Sequence, residues 1–475
     1  MAERPLWGAS EAADAAGGRL AGIPATAING VSIDTRTIAP GDIFVALKGD
    51  SRDGHDFVVQ ALQSGAGAAL VARETPEMRA AGALIVVPDD PLLGLERLGV
   101  AARARSTAGI AAITGSVGKT STKEMLRAAL SACGATHASA ASFNNHWGVP
   151  LTLARLPVSA RYGIFEIGMN HTGEITPLVA MVRPQVAVIT NVAASHLGNF
   201  ASLDEIAAAK AEIFTGLEKD GTAVLNRDSA HFDFLAAAAR QRGIKNIVAF
   251  GKHADAGVRI VDLVLHTGCS CVTADVMGER VMFKLGVPGE HMAVNAMAVL
   301  ATAKLLGADL ARAALALAEA APAKGRGQQS RLQLPGGELL LIDESYNANP
   351  ASMAAALALL GRAKPRHGGR RIAILGDMLE LGAHAAALHA GLAAPMDEQG
   401  VDVLYAAGPD MAHLFQAIPA AKRGVHAARA ADLEAVVLAG LKAGDVVMIK
   451  GSNGSRMGPL ADAIRAKWPP VNKDS

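Results

Sequence analysis

The 475-residue chain has little of several features that mark particular protein classes. It has three cysteines, and Cys269 and Cys271 lack the second ligand pair of a structural zinc site, so the cysteine content favours a reducing cytoplasm. Aromatic residues make up 4% of the chain and the formal net charge is +1. We therefore expect neither nucleic-acid binding nor association with an anionic membrane.

Long apolar runs and several catalytic motifs are also missing. No run of about 18 predominantly apolar residues occurs, so no membrane span is expected, and the acid-containing N-terminus does not resemble a signal peptide. The absence of GxSxG, HExxH and paired CxxC motifs leaves serine hydrolase and zinc protease interpretations without support. Hydrophobic residues make up 51% of the chain, which excludes a mainly disordered protein, and the length predicts two or three domains.

The most informative segment present is a phosphate-loop pattern at residues 109–125, GIAAITGSVGKTSTKEM. Its glycines allow backbone N–H groups to surround a polyphosphate, while Lys119 can supply positive charge and Thr120 can ligate Mg²⁺. Ile113 replaces the first glycine of the usual pattern, so a purely structural strand-to-helix turn is the alternative. The pattern favours ATP or GTP binding, with phosphate contacts from Gly115, Ser116, Val117, Gly118, Lys119, Thr120 and Ser121.

Three sections follow one another along the chain, and all three alternate strand and helix patterns. Strands are predicted in the first section at Ile43–Leu47 and Ala68–Val71, and in the second at Tyr162–Ile167, Val186–Thr190, Thr222–Leu225 and Asn246–Phe250. After a linker at Ala321–Gly327, the third section has strands at Glu338–Ile342, Arg371–Gly376, Val403–Ala406 and Val446–Lys450. The Ala-rich stretch Ala128–Ala154 favours helix. The alternation predicts an α/β fold with mainly parallel sheets.

Polar residues follow two of the predicted central strands. Glu166 lies in YGIFEIG, and Asn191 and His196 follow the next strand in VAVITNVAASHLGNF. Ligands of open α/β sheets bind at the carboxyl edge, where these side chains and Lys119 would lie together. We interpret Glu166 as a Mg²⁺ ligand in preference to a solvated carboxylate, whereas structural and functional roles of His196 stay equally open.

Five further candidates each have a plain alternative. Lys210 lies in the helix-forming DEIAAAKAEIF, where a lysine is by default a solvated surface charge. Asn144 and Asn145 in SFNNHWGVPLTL can simply form a turn. His291 and Asn295 are spaced to share one helix face, where they can contact a base or ribose or form a buried structural pair.

The linker and the third section add polar candidates. Arg326, in the linker, is either a solvated charge or a phosphate clamp that reaches in from the third section. Two turns after third-section strands, DESYNANPASM (343–353) and KGSNGSRM (450–457), are rich in Asn, Ser and Gly. Such strand ends suit a polar ligand.

Taken together, the motifs resemble those of the Mur ligases of bacterial cell-wall synthesis. The resemblance covers almost the whole chain and rests on TGSVGKTSTKE, NNHWGVPLTL, EIGMNHTGEI, NVAASHLGNF, AKAEIF, GEHMAVNAMA, DESYNANPASM, LGDMLELG and KGS. VSIDTRTIAPGDIFVALKGDSRDGHDF resembles the family's uridine-nucleotide-binding segment. NNHWGVPLTL, DESYNANP and LGDMLELG are similar to the branch that adds D-alanyl-D-alanine, and the DNPR signature of the branch that adds the diamino acid is absent.

The resemblance implies three domains and a set of cofactors. An N-terminal α/β domain (1–106) would bind the UDP-linked precursor, a central P-loop ATPase-like domain (107–322) would bind ATP, and a C-terminal Rossmann-like domain (323–475) would bind the incoming dipeptide. The implied cofactors are ATP, two Mg²⁺ ions and a carbamate formed from CO₂ on Lys210. Because carbamylation needs a neutral amine, the resemblance reverses the surface interpretation of Lys210 and requires a lowered pKa there.

The resemblance also assigns residues to roles. The implied catalytic residues are Lys119, Lys210 and His196. The implied metal ligands are Thr120, Glu166, His196 and the carbamate on Lys210. Beyond the phosphate loop, ATP would contact His291, Asn295, Arg326 and Glu344. Substrates would contact Asp34, Thr35, Arg36, Asn144, Asn145, Asn191, Tyr346, Asn347, Asn349, Lys450 and Ser452.

The implied activity joins D-alanyl-D-alanine to UDP-N-acetylmuramoyl-tripeptide through an acyl phosphate, in a monomeric cytoplasmic enzyme. One alternative is an ATP-dependent ligase that adds a different amino acid or folate glutamate, against which DESYNANP argues. The other is a nucleotide-dependent switch or binding module that hydrolyses ATP slowly, against which the set of implied metal ligands argues. The third residue of the tripeptide, lysine or diaminopimelate, is left open by the sequence.

Overall fold

The computed structural model describes residues 5–23, 27–49, 51–140, 142–195, 197–366 and 368–471. Within these ranges the strands form three sheets, of five, nine and six strands. Each sheet is built from a continuous part of the chain and has helices packed against it. No helix in the described part of the chain combines the length and apolarity needed to cross a membrane.

The N-terminal sheet has the strand order β1-β5-β4-β3-β2, and only β1 is antiparallel to its neighbour. Local signals begin its helices: Thr75 caps α3 and Asp90 caps α4, and each is followed by proline at the first helical position. The elements are α1 (Ala9–Ala16), β1 (Arg19–Gly22), β2 (Gly30–Ser32), β3 (Asp42–Val45), α2 (Val58–Gln63), β4 (Ala68–Val71), α3 (Pro76–Ala81), β5 (Ala83–Val86) and α4 (Pro91–Arg105).

The central sheet has the order β14-β13-β12-β11-β10-β9-β6-β8-β7 and is parallel from β7 to β12. Its strands are β6 (Gly109–Thr114), β7 (Thr136–Ala138), β8 (Tyr162–Glu166), β9 (Val186–Ile189), β10 (Thr222–Asn226), β11 (Asn246–Gly251), β12 (Val258–Leu265), β13 (Ser270–Val276) and β14 (Glu279–Leu285). Its helices are α5 (Lys119–Ser131), α6 (Gly148–Ala154), α7 (Ile175–Val182), α8 (Leu203–Ala211), α9 (Phe232–Gln241), α10 (Glu290–Leu305) and α11 (Leu310–Ala316).

The C-terminal sheet has the order β15-β16-β20-β17-β18-β19, with an antiparallel β15–β16 hairpin and parallel pairs elsewhere. Its strands are β15 (Gln328–Leu334), β16 (Gly337–Glu344), β17 (Arg371–Gly376), β18 (Val403–Ala407), β19 (Arg423–Ala427) and β20 (Val446–Lys450). Its helices are α12 (Pro350–Arg362), α13 (Ala385–Ala390), α14 (Ala393–Glu398), α15 (Met411–Ala417), α16 (Glu434–Gly440) and α17 (Met457–Lys467).

The N-terminal domain packs against one face of the central sheet through a continuous apolar core. Directional contacts fix this arrangement. The indole of Trp7 donates to the carbonyl of Ala154 (3.1 Å), and the guanidinium of Arg103 donates to the carbonyls of Val182 (2.7 Å) and Arg183 (2.8 Å). Because Arg103 satisfies the carbonyls at the end of α7, it links the last N-terminal helix to the central domain.

The predicted fold class, three α/β domains with mainly parallel sheets, is confirmed. The helix preference inferred from the Ala-rich composition of Ala128–Ala154 holds only at the two ends of this stretch: α5 ends at Ser131, and β7 and a turn precede α6. Helix propensity is overridden there because β7 pairs in parallel with β8. The antiparallel β12–β14 meander was not predicted, since only alternating strand–helix patterns were sought.

Candidate active site

The phosphate-loop segment joins β6 to α5 at the carboxyl edge of the central sheet. Two glycines in it adopt positive φ angles, +147° at Gly115 and +84° at Gly118. A Cβ atom at Gly115 would lie 1.9 Å from Oγ1 of Thr190, and one at Gly118 would lie 2.7 Å from Nδ2 of Asn295. Both positions therefore require glycine for conformation and for space.

Three side chains meet beside the loop because β8 is hydrogen-bonded to β6 and ends next to it. Thr120 Oγ1 donates to Glu166 Oε1 (3.1 Å), and Nδ2 of Asn144 donates to the same oxygen (2.8 Å). Glu166 is 1% exposed, and its Oε2 has no hydrogen-bond partner among the described residues. A buried carboxylate oxygen without a partner, next to a threonine hydroxyl, fits a Mg²⁺ ion, which prefers oxygen ligands.

Two lysines near the loop are affected by burial. Lys119 donates to the carbonyl of Gly115 (2.7 Å), and burial lowers its pKa, while the Glu166 carboxylate opposes that shift and Arg326 adds to it. Lys210 in α8 is 2% exposed and makes no hydrogen bond or ion pair with the described residues. Burial, and then the charge of Lys119, holds the pKa of Lys210 well below its usual range. The surface alternative for Lys210 is therefore wrong, and its amine favours the neutral form that carbamylation requires.

A cavity of about 530 Å³ extends from this edge to the C-terminal domain. Most of the site residues predicted from the sequence line it. They are Ser116, Val117, Gly118, Lys119, Thr120, Ser121, Asn144, Glu166, Asn191, His291, Asn295, Arg326, Glu344, Tyr346, Asn347, Asn349 and Lys450. The structure thus brings the phosphate loop, α10, the linker and the C-terminal strand ends to one space.

The C-terminal wall of the cavity is held together by Lys450 at the end of β20. Lys450 is 2% exposed, and its ammonium donates to the carbonyl of Asn347 (2.9 Å) and to Glu344 Oε2 (3.4 Å). Burial lowers the pKa of Lys450, and Glu344 opposes the shift. The guanidinium of Arg326 lies 4.2 Å from the Tyr346 ring centroid and donates to Ser142 (3.4 Å), so it spans the two domains.

On α10, His291 and Asn295 share one face and both border the cavity. Burial lowers the pKa of His291, which favours the neutral imidazole. A neutral imidazole and an amide can exchange hydrogen bonds with a base or a ribose. The position of His291 and Asn295 at the cavity supports contact with a base or ribose over the alternative of a buried structural pair.

Other predicted residues lie away from the cavity. Gly115 and Lys210 are not among the residues that line the cavity. Asn145 accepts from the amide of Gly148 (3.0 Å), as expected for the turn alternative. Ser452 lines a second, smaller cavity of about 150 Å³ together with Ser195 from the central domain. His196 lies outside the described residues.

The three residues predicted to contact the uridine nucleotide lie in one turn of the N-terminal domain, where Arg36 is exposed and Asp34 and Thr35 are half-buried. Asp34 caps a short turn by accepting from the amide of Arg36 (3.0 Å), and Thr35 lies between them. Hydrogen bonds from Arg36 lower the pKa of Asp34 to about 2. Asp34, Thr35 and Arg36 are not among the residues that line the central cavity, so their role stays a prediction.

The sequence analysis missed several cavity residues at the same sheet edge. Asn226 is the last residue of β10, Asp228 lies just after it, and Lys252 follows β11. Asp228 accepts from the amides of Lys252 (2.8 Å) and His253 (2.9 Å) and so fastens the ends of both strands. The sequence does contain the pattern that indicates these residues, because both strands were predicted and polar residues lie at the carboxyl end of each.

One other cluster of carboxylates and histidine lies in the C-terminal domain. Asp377, His389 and Asp410 have potential ligand atoms within 4.8 Å of one another. Nε2 of His389 accepts from the amide of Met378 (2.9 Å), which places the proton on Nδ1, 2.7 Å from the carbonyl of Ala385. Both ring nitrogens are therefore occupied, and the cluster is structural.

Comparison with protein families matches all three domains. The matched families are "Mur ligase family, catalytic domain" at residues 27–105, "Mur ligase middle domain" at 113–303 and "Mur ligase, glutamate ligase domain" at 330–453. Mur ligases are ATP-dependent ligases, and the phosphate loop, the three α/β domains and the cavity between the central and C-terminal domains agree with that class.

Individual relatives show to which branch of the Mur ligase family the chain is most similar. The UDP-N-acetylmuramoyl-tripeptide--D-alanyl-D-alanine ligase of Escherichia coli (strain K12) is 36% identical over 84% of this chain and 85% of its own. The crystal structure of MurF from Acinetobacter baumannii is 31% identical, with a TM-score of 0.82 over 97% of this chain and 99% of that one. MurF from Thermotoga maritima, solved in complex with ADP, is 25% identical with a TM-score of 0.76 over 92% and 97%. The chain belongs to the Mur ligase family, in the branch of the UDP-N-acetylmuramoyl-tripeptide--D-alanyl-D-alanine ligases.

Proposed function

We propose that the protein uses ATP to join D-alanyl-D-alanine to UDP-N-acetylmuramoyl-tripeptide, and that it releases ADP and phosphate. The observation that carries the proposal is the shared cavity, in which the phosphate loop and Glu166 face C-terminal residues such as Lys450 and Asn347. A nucleotide and an acceptor held by different domains can meet there. The names of the curated relatives support the choice of substrates.

The reaction consists of two balanced steps. The terminal carboxylate of the tripeptide takes the γ-phosphoryl group of ATP, which gives an acyl phosphate and ADP. The amine of the dipeptide then attacks the acyl carbon, loses a proton, and expels phosphate that carries one oxygen of the original carboxylate. Lys119 would neutralise charge on the transferred phosphoryl group. Arg326, at the domain boundary, would clamp phosphate oxygens once the nucleotide draws it from Tyr346.

Metal binding would fall to two residues that line the cavity and two that the family resemblance adds. Thr120 and Glu166 would hold one Mg²⁺, and His196 and a carbamate on Lys210 would hold a second, where a negative group offsets the ion's charge. When bound, Mg²⁺ would stabilise the negative charge that develops on the phosphate oxygens. The lowered pKa of Lys210 supports the carbamate, because a neutral amine can react with CO₂.

The remaining assignments follow the domain order. We propose residues 1–106, 107–322 and 323–475 as the precursor-binding, ATP-binding and dipeptide-binding domains. His291, Asn295 and Glu344 would contact the nucleotide. The other predicted contacts would serve the two substrates: Asp34, Thr35, Arg36, Asn144, Asn145, Asn191, Tyr346, Asn347, Asn349, Lys450 and Ser452. We also propose a monomer in the cytoplasm, where ATP and nucleotide-linked sugars are available, and the free state of the three cysteines agrees with that compartment.

The test is phosphate release from ATP with the nucleotide tripeptide, with and without D-alanyl-D-alanine, and with single D-alanine as the control. The proposal predicts release that requires both substrates and a pentapeptide product by mass. Release with a single amino acid would move the protein to another branch. A separate test of the carbamate is Lys210→Ala, whose activity should be partly restored by formate or acetate at saturating Mg²⁺; absence of rescue would contradict the carbamate.

A further inference from the structure

A lysine that has no role in the proposed reaction is completely enclosed. Lys123, in the second turn of α5, is 0% exposed, although lysine is almost never fully buried unless it is paired. Its ammonium donates to the carbonyl of Ser139 (2.9 Å) and pairs with Glu124 (2.9 Å). Neither Lys123 nor these two partners line the central cavity.

The segment that Lys123 contacts does reach the cavity. The 139–144 segment, of which residue 141 lies outside the described residues, runs from the end of β7 towards α6. It carries Ser142, whose Oγ lies 3.2 Å from Thr120 Oγ1, and Asn144, which donates to Glu166 Oε1 (2.8 Å). The same segment therefore contacts both side chains proposed to hold the first Mg²⁺.

The choice of a charged residue at this position has a physical consequence. Apolar packing would fasten a segment to a helix with no desolvation cost, and buried charges are often replaceable by apolar residues without loss of stability. An ammonium instead makes directional contacts, and among them is the hydrogen bond to the carbonyl of Ser139. Since Thr120 lies one turn before Lys123 on α5, the contact sets the distance between the helix that carries Thr120 and the segment that carries Asn144.

We propose that Lys123 is a positioning residue for the Mg²⁺ site: it fastens the 139–144 segment to α5 and so holds Asn144 and Ser142 against Glu166 and Thr120. The inference rests on the proposed function, because it takes Glu166 and Thr120 as metal ligands. Partners that orient metal ligands typically change metal affinity or activity by about 10–100-fold when they are removed.

The experiment compares Lys123→Met, which keeps the apolar stem and removes the donor, with Lys123→Arg, which restores a charged donor. Lys304→Met is the control, because the Lys304 ammonium likewise donates to a carbonyl, that of Val276 (3.0 Å), and to a glutamate, Glu279 (2.7 Å), but away from the cavity. For each protein, calorimetry gives the affinity for ADP with and without Mg²⁺, amide hydrogen exchange follows residues 142–144, and a thermal scan gives Tm.

Mg²⁺ should increase the ADP affinity of Lys123→Met less than that of the wild type, by a factor on the order of 10. The affinity for ADP without Mg²⁺ should be the same in both proteins. Exchange at 142–144 should accelerate, and Lys123→Arg should recover much of both effects. Lys304→Met should lower Tm and leave the other readouts unchanged. If Lys123→Met does not fold, Lys123→Gln, which keeps a shorter neutral donor, should show the same effects at smaller size.

Two results separate failure of this inference from failure of the proposed function. Wild-type protein that binds ADP equally well without Mg²⁺ would refute the metal site on which both depend. A Mg²⁺-dependent wild type combined with unchanged Mg²⁺ dependence and unchanged exchange in Lys123→Met would refute the positioning role alone, and would make Lys123 a structural residue like Lys304.

Discussion

Replacement of Lys210 by methionine should make the ligand-free protein more stable while it removes activity. Lys210 is 2% exposed, and its amine has no partner among the described residues and is affected by the charge of Lys119. Methionine has a similar length and carries no charge to desolvate. Replacing buried ionisable groups by apolar groups of similar volume often raises the free energy of unfolding, by about 1–4 kcal/mol. For domains of this size, each 1 kcal/mol raises Tm by about 2–4 °C, so an increase of at least about 2 °C is expected.

The sign of the pH dependence follows from the lowered pKa of Lys210. In the unfolded chain the amine keeps its proton to about pH 10.4, whereas in the folded protein it loses the proton at lower pH. Between those values the unfolded state binds more protons, so the stability of the wild type rises with pH. Lys210→Met has no amine at this position, so this pH-dependent contribution to stability is absent. The difference in Tm between Lys210→Met and the wild type should therefore be large at pH 7 and should shrink towards pH 10.

The assay is a thermal scan at pH 7, 8, 9 and 10 in CO₂-free buffer without nucleotide, repeated with bicarbonate at pH 8. Bicarbonate should raise the Tm of the wild type and leave that of Lys210→Met unchanged. Lys219→Met, which changes an exposed lysine after the same helix, is the control and should shift stability by less than about 0.5 kcal/mol. A lower Tm for Lys210→Met at pH 7, or a gain that does not depend on pH, would refute the reasoning.

Three further predictions test other parts of the structure. Lys119→Ala should reduce turnover at least about 100-fold with an unchanged far-UV spectrum, because the charge proposed to neutralise the transferred phosphoryl group is lost; retained turnover would exclude the phosphate-loop role. Gly118→Ala should weaken ADP binding about 5–30-fold in calorimetry, since φ is +84° and Cβ would lie 2.7 Å from the Asn295 amide. The control is Gly336→Ala, where φ is +87° and a Cβ atom would meet no other atom within 4 Å, and this variant should bind ADP as the wild type does. Arg103→Met should destabilise by about 1–3 kcal/mol in a thermal scan because two carbonyls at the end of α7 lose their donor; an equal effect of Arg97→Met, at an exposed position in α4, would contradict it.

Local patterns predicted the parts of the site that depend on local structure. The phosphate loop needs glycines, Lys119 and Thr120 in one short segment, and the structure has them where a strand meets a helix. Glu166 and Asn191 were found because parallel neighbours end at one edge. The same rule, applied to β10 and β11, would have found Asp228 and Lys252.

The remaining site residues depend on packing between distant segments, which sequence patterns do not encode. Lys210 has the sequence context of a surface lysine, and its burial follows from the way α8 packs in the central domain. Lys450 and Tyr346 reach the phosphate loop only because the C-terminal domain lies across the cavity. Lys123 was not singled out for the same reason: its partner Ser139 is 16 residues away.

The most direct test of the central claim, ligation through an acyl phosphate, uses tripeptide substrate with ¹⁸O in its terminal carboxylate. The enzyme is incubated with ATP, Mg²⁺ and D-alanyl-D-alanine, and the released phosphate is analysed by mass. Transfer through an acyl phosphate should give one ¹⁸O atom in each phosphate and one phosphate for each amide bond formed. Unlabelled phosphate, or phosphate released without amide formation, would contradict it.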